Sequence, residues 1–266
     1  MNNLYIVMYH YVRPIAGSEY PNIKGLELDY FREQLRFFMD NFHIVNMEQV
    51  IDAIYNQEPI PEHALLLTFD DGYLDHYKYV FPILKENGVQ GSFFVPSGIL
   101  RYGKVLDVNK IHFILACNSI DILTGEIYRI LDEYRNEGYD IESNETLFEK
   151  LAIANRWDIP EVIFIKRLLQ TYLEEGIRKD IVDRLFVESV GTSESEFSKK
   201  LYMNLAQIKE MKNSGMYFCW RRICFFTAGG SPNTSSSCSS PRCSTTAMAW
   251  ASGTSAAGAS RGQPGR

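Results

Sequence analysis

Residues 65–72 read L-L-L-T-F-D-D-G, and the reading of the fold turns on them. An apolar, β-favouring run stops at two adjacent carboxylates and a glycine, the pattern of a buried strand that delivers charged groups to the rim of a sheet. Beyond Gly72 the spacing becomes helical, with Leu74, Tyr77, Val80 and Phe81 on one face, a stop at Gly88, and a second strand over 91–95. The stretch is therefore one βαβ unit with Asp70 and Asp71 at the carboxyl end of its first strand, where α/β proteins carry their chemistry. On spacing alone, Asp71 could equally cap the following helix while Asp70 sits in a solvated turn.

Outward from this unit the chain keeps the same order. Leu4 to Met8 reads as an earlier strand, followed directly by His10, which a barrel would direct to the same rim as the aspartates. Residues 17–25 read as loop, Leu28 to Phe42 as a helix with Phe31, Leu35 and Phe38 on one side, and Met47 to Tyr55 as another before Pro59 and Pro61. His43 and His63 fall in connections, and His76 in the helix after the motif reads as structural. From Leu100 to Met203 the strand–helix alternation gives way to helical patterns over 108–117, 120–134, 145–154, 160–173 and 177–186. Such a block reads as an insertion over or beside the rim. Asp107, Asn109, Lys110 and His112 are its notable polar positions, with helix capping and surface pairing the favoured roles. A helix over 204–213 capped by Asn204, a stop at Gly215 and a strand beginning at 216–218 follow.

The T-F-D-D-G-Y motif, with M-Y-H-Y-V at 8–12 and G-S-F-F-V at 91–95, resembles the polysaccharide deacetylase family, also called the NodB-homology or carbohydrate esterase family 4 group. The resemblance covers the first 100 residues and returns at 204–218. It implies an α/β fold, an irregular (β/α) barrel of the glycoside hydrolase and deacetylase type. Here that barrel is incomplete and divides into barrel (1–100), helical insertion (101–203), resumed barrel (204–218) and tail (219–266). By the same resemblance Asp70 is the catalytic base and Asp71 a ligand of a divalent metal, zinc or else cobalt or nickel. His10, from its place at the rim rather than from the resemblance, reads as a substrate contact or a support of the metal site, or equally as a residue in a structural hydrogen bond. The substrate class implied is an N-acetylated carbohydrate or glycan, hydrolysed at a carbon–nitrogen bond that is not a peptide bond. The chemistry suits paired carboxylates, because a cation can acidify water and polarise the acetyl carbonyl while the second carboxylate takes the proton.

Composition limits the other classes. The net charge of −6 over 266 residues gives no nucleic-acid signature. No stretch is long and apolar enough to span a bilayer, and the N-terminus lacks a basic leader pattern, which makes a cytoplasmic protein the expectation. The charge is unevenly placed: all 33 acidic residues and 22 of the 27 basic ones precede Cys219, a net of −11, and five arginines follow. Residues 219–266 also contain no Leu, Val, Tyr, His or Lys. They read as out-of-frame or otherwise non-native sequence joined within a barrel strand, with a flexible Ser/Ala linker as the alternative. Four of the five cysteines, at 219, 224, 238 and 243, lie there at spacings loosely compatible with zinc, and chance is the better reading.

The family's H-x-x-x-H metal motif is not found after 218, since the last histidine is His112. With Asp71 as a single ligand, where hydrolytic metals take about three protein donors, weak metal binding and little activity are expected. The alternative is a non-catalytic carbohydrate-binding or partner-binding fragment. A magnesium-dependent phosphoryl-transfer enzyme is a further reading, but it lacks a glycine-rich phosphate loop.

Overall fold

A computed structural model describes residues 3–154 and 156–221. The expectations for 222–266, including a role for Cys224, Cys238 and Cys243, lie outside the described residues. The chain opens with β1 (Leu4–Tyr9), the two-residue strands β2 (Val12–Arg13) and β3 (Leu26–Glu27), α1 (Leu28–Asn41), β4 (His43–Ile44) and α2 (Met47–Tyr55). The motif strand β5 (Ala64–Asp70) leads into a π-helical turn (His76–Val80), α3 (Phe81–Glu86) and β6 (Ser92–Pro96). A helical block follows: α4 (Ser97–Tyr102), α5 (Asp107–Cys117), α6 (Ile120–Asn136), α7 (Asn144–Leu151), α8 (Pro160–Arg167), a second π-helical turn (Leu168–Tyr172), α9 (Glu175–Val190) and α10 (Glu194–Leu201). The chain then returns through α11 (Leu205–Asn213) to β7 (Tyr217–Arg221). The strand thus runs three residues past Phe218, so the expected boundary at 219 falls inside it. No helix among the described residues is long and apolar enough to cross a membrane.

Local chemistry explains several boundaries. Asn46 and Asn204 each close a reciprocal capping box with a glutamine three residues on, Gln49 and Gln207, which fixes where α2 and α11 begin. The described sheet is wholly parallel and open, in the order β1-β5-β6-β7. β1 pairs with β5 over its whole length, so β4, matched to Ala64 and Leu65, and β6, matched to Thr68–Asp70, share the opposite edge of β5. The α/β class with its parallel sheet is as expected, and β1 and β7 are the two ends of the described sheet, with no described strand joining them.

Residues that alternate along the strands separate two faces. On one face Tyr9, Phe69, Phe93 and Phe218 stand in register across four strands and stack at 5.2, 4.8 and 5.2 Å between ring centroids. Phe31 of α1 closes edge-on against Tyr9, and His76 edge-on against Phe69, so helices cover this ladder. On the other face Val50 of α2 and Val45 just after β4 pack on Ala64 and Leu66 at the start of β5. Along β1 on that face Ile6 and Met8 remain exposed.

The helical block has its own apolar interior, including Ile127, Ile130, Phe164, Leu168, Ile181 and Phe186, continuous with the core behind the sheet. Lys110 of α5 corrects the surface-pairing expectation. Its side chain is 2% exposed and its ammonium meets Asp183 of α9, Glu194 of α10 at 2.8 Å and Asp107 at 3.8 Å. Burial opposes its charge, and hydrogen bonds to Asp183 and Glu194 outweigh that, so its pKa lies above the usual lysine value.

Candidate active site

The end of β5 has a conformation that explains its sequence. Asp71 and Gly72 both take left-handed backbone, with φ of 69° and 67°. Glycine adopts this freely, and a Cβ at 72 would stand 2.9 Å from Val95 Cγ1, so position 72 admits only glycine on both counts. Asp71 takes the same conformation at a cost and must be held there. It is not a helix cap, because the helix begins at Leu74, beyond Gly72 and Tyr73, and the Asp71 carboxylate accepts from the Tyr73 hydroxyl rather than from a backbone N–H of that helix. That corrects the alternative reading of the motif.

What holds Asp71 is a buried polar cluster. Its Oδ2 accepts a 2.8 Å hydrogen bond from the Tyr73 hydroxyl, and Asn109 Nδ2 lies 3.4 Å away. Asn109 donates to the Tyr73 hydroxyl at 2.6 Å and accepts from the Tyr202 hydroxyl at 2.6 Å. Tyr202 in turn accepts from Leu106 N–H at 3.1 Å. Burial pushes the Tyr73 and Tyr202 phenols well up, which keeps both as donors. Asn109 is fully buried, so the expectation of capping or surface pairing fails here too.

Around this cluster, Tyr11 stacks on Tyr73 at 4.3 Å, and Arg13 lies over Tyr11 while its Nε donates to Asp75 at 2.6 Å. Burial raises the Asp75 pKa in spite of the arginine. His76 is fully buried and shares a 2.7 Å hydrogen bond with the His10 carbonyl oxygen, in the structural role expected of it. Burial depresses its pKa to about 4. His112 faces the Tyr11 ring edge-on, and burial together with the nearby Lys166 charge lowers its pKa to about 4 against the opposing pull of Asp71.

The three residues singled out by sequence therefore converge on one end of the sheet in different settings. Asp70 ends β5 and is half-buried, Asp71 is 8% exposed and hydrogen-bonded, and half-buried His10 follows β1, whose Tyr9 pairs with Phe69. His10 lines an open cleft of about 340 Å³ with Met8, Tyr11, Lys24 and Gln34, and neither aspartate lines it. Among the described residues no three His, Cys, Asp or Glu side chains are grouped to hold a metal ion. The described donors do not fit the metal that the family implies. Sequence reasoning does not single out Tyr73 or Tyr202, and it marks Asn109 only as a polar position of the D-V-N-K-I-H-F-I-L-A-C helix, with capping or surface pairing favoured over a buried partner.

Residues 57–144 match the family model for polysaccharide deacetylase. The poly-β-1,6-N-acetyl-D-glucosamine N-deacetylase of Escherichia coli (strain K12) is 33% identical over 85 residues, which are 32% of this chain and 12% of that protein. The chain thus matches about an eighth of the length of that relative. Among solved structures, a de-N-acetylase from Aggregatibacter actinomycetemcomitans shares 28% identity over 37% of this chain and 39% of its own, with a TM-score of 0.33. IcaB from Ammonifex degensii shares 20% identity over 82% and 76% of the two chains, also with a TM-score of 0.33. The resemblance carried by T-F-D-D-G-Y is borne out by the family model and the sequence relatives.

Proposed function

We propose, from the premise that residues 57–144 belong to the polysaccharide deacetylase family, that Asp70 and Asp71 are the acidic half of a centre that hydrolyses the acetamido group of an N-acetylated glycan. The observation that carries this reading is the D-D-G turn itself, with one carboxylate at the strand end and the next fixed in a left-handed conformation beside it. In the reaction, water attacks the acetyl carbonyl carbon, the carbon–nitrogen bond breaks, acetate leaves and the amine takes up a proton. Asp70 is assigned the proton of the attacking water, Asp71 the family's metal-ligand position, and His10 a substrate contact in the cleft beside β1. In the family the metal polarises the carbonyl, and no described donor set supports it here. Turnover by this chain is accordingly assigned a very low rate.

The test is release of acetate from N-acetylglucosamine oligosaccharides by the full chain, with and without added zinc or cobalt. Slow release abolished by D70N is expected. Release that D70N leaves unchanged would remove Asp70 from the role of base. Tight, stoichiometric zinc binding in a calorimeter, lost in D71A, would overturn the low-rate assignment.

The lack of a three-donor group among the described residues favours one further reading, a carbohydrate-binding fragment that does no chemistry. Retention on immobilised glycan without acetate release, unchanged by a chelator, is its signature.

A further inference from the structure

The Asp71 carboxylate is the last acceptor in a set of hydrogen bonds that begins in the helical block. Leu106 N–H donates to the Tyr202 hydroxyl, and Tyr202 donates to Asn109 Oδ1. The Asn109 amide donates to the Tyr73 hydroxyl, and Tyr73 donates to Asp71 Oδ2. The sense is fixed at both ends, because a backbone N–H only donates and a carboxylate only accepts. Turning the Asn109 amide over would draw the Tyr73 proton onto its oxygen and away from Asp71, so one amide orientation serves all four bonds. The cluster is buried, where such bonds polarise one another and an unsatisfied member is costly.

The backbone is joined at the same place. Tyr73 and Tyr202 form an isolated antiparallel bridge, their rings lie parallel at 6.0 Å, and Met203 N–H donates to the Gly72 carbonyl at 2.9 Å. Both ends of the helical block, Leu106 and Asn109 on entry and Tyr202 and Met203 on exit, therefore meet on the turn that carries Asp71. A strained non-glycine conformation persists where its surroundings over-determine it, and these contacts do so.

We infer that Asn109 and Tyr202 are positioning residues for Asp71, and that the helical block is a clamp on the D-D-G-Y turn, joined to it at both ends. The inference rests on the proposed function only for the use to which Asp71 is put. Its geometry is independent of turnover.

The experiment uses the full chain labelled with ¹³C at aspartate carboxyl carbons, with the Asp71 resonance assigned by its disappearance in D71N. Y202F keeps the ring stack and makes no contact with Asp71, so a purely local role predicts an unmoved signal. The clamp predicts that the Asp71 signal moves by more than its linewidth in Y202F and further in N109A. It also predicts that amide exchange at 71–73 accelerates while α6 and α9 stay protected. An Asp71 signal in Y202F that coincides with the parent's would overturn the inference, as would equal loss of protection across α6, α9 and the turn. Should N109A fail to fold, Y202F alone decides. A chain that releases no acetate yet shows the Asp71 displacement defeats the deacetylase reading and supports the clamp.

Discussion

The two faces of the sheet differ along a single strand. Tyr9 of β1 is buried under α1 as the first ring of a four-ring stack, while Met8, one residue earlier and on the opposite face, is 60% exposed and Ile6 beside it 47%. β1 reads L-Y-I-V-M-Y, apolar on both sides, the composition of a strand packed from both directions. The described residues supply one of those two packings and, at Leu4, part of the other. Apolar sequence alone thus does not determine burial; it requires a partner surface. The aromatic ladder has one in α1, α3 and the π-helical turn, whereas on the opposite side of β1 Leu4 meets the Val45–Val50 cluster and Ile6 and Met8 stay exposed among the described residues.

The strongest way to break this comparison is to truncate matched positions. Phe93 lies in the middle of the ladder and is fully buried. Its replacement by alanine is expected to cost about 3–5 kcal/mol in urea unfolding, the range for a buried phenylalanine that leaves a cavity. Met8→Ala, on the uncovered side, should stay within about 0.5 kcal/mol of the parent. Equal losses would show that the two faces are packed alike.

A second prediction concerns the histidine beneath the ladder. The pKa of His76 is lowered by burial to about 4, from an ordinary value near 6.5. The unfolded chain then binds the proton first as pH falls, so this contribution to stability is fully present above about pH 6.5 and is lost on the way down to about pH 4. The loss is about 3 kcal/mol at roughly 1.4 kcal/mol per unit of pKa difference. His112, also lowered to about 4 by burial and by Lys166, adds a slope of the same sign. Melting temperatures of the parent should fall steadily over that interval. His76→Gln, which can still donate to the His10 carbonyl, should fall with a shallower slope, by about one proton. An unchanged slope would mean that His76 is not buried as a neutral ring.

How much of this was legible in the sequence follows from where each residue finds its partners. The motif strand, its βαβ unit, and helices α2 and α11 with their Asn-x-x-Gln boxes are set by neighbours a few residues away, and spacing revealed them. The helical block was likewise visible from its period, although the helices α4 and α10 were not, and the π-helical stretches at 76–80 and 168–172 were read as helix without their wider turn. Asn109 and Lys110 were misjudged as surface positions because what buries them is distant. Tyr73 and Tyr202 lie 36 and 93 residues from Asn109, and Asp183 lies 73 from Lys110. A polar residue in an amphipathic helix looks the same whether it meets water or a partner brought in by the fold. Asp71 was legible as chemistry, but its left-handed backbone and the hydroxyl that fixes it were not.

Lys110 gives an intermediate test, since it ties α5 to α9 and α10 behind the turn. Lys110→Met removes the ammonium and leaves Asp183 and Glu194 facing each other without it. Hydrogen bonds to charged groups contribute about 1.5–3 kcal/mol, and a loss at the lower end of that range is expected because both carboxylates reach solvent. The ladder lies apart from this cluster, so Phe93→Ala and Lys110→Met should add in the double variant. Strong coupling between them would mean that the block and the sheet unfold as a single unit.

The smallest effect on stability is expected where the sheet is least covered. Met8→Lys places a charge on the exposed side of β1 without touching the ladder, and unfolding should move by no more than about 0.5 kcal/mol. Its consequence lies between molecules. β1 is an edge strand of the described sheet, with Tyr5, Ile6 and Met8 all exposed, and an apolar edge of this kind pairs readily with another chain unless a charge discourages it. Light scattering at rising concentration should therefore show less association for Met8→Lys than for the parent, while Phe37→Lys, on an exposed side of α1, should leave association unchanged. Equal association in the parent and both variants would mean that the uncovered side of β1 is not what brings copies together, and the difference between the faces would then be one of packing alone.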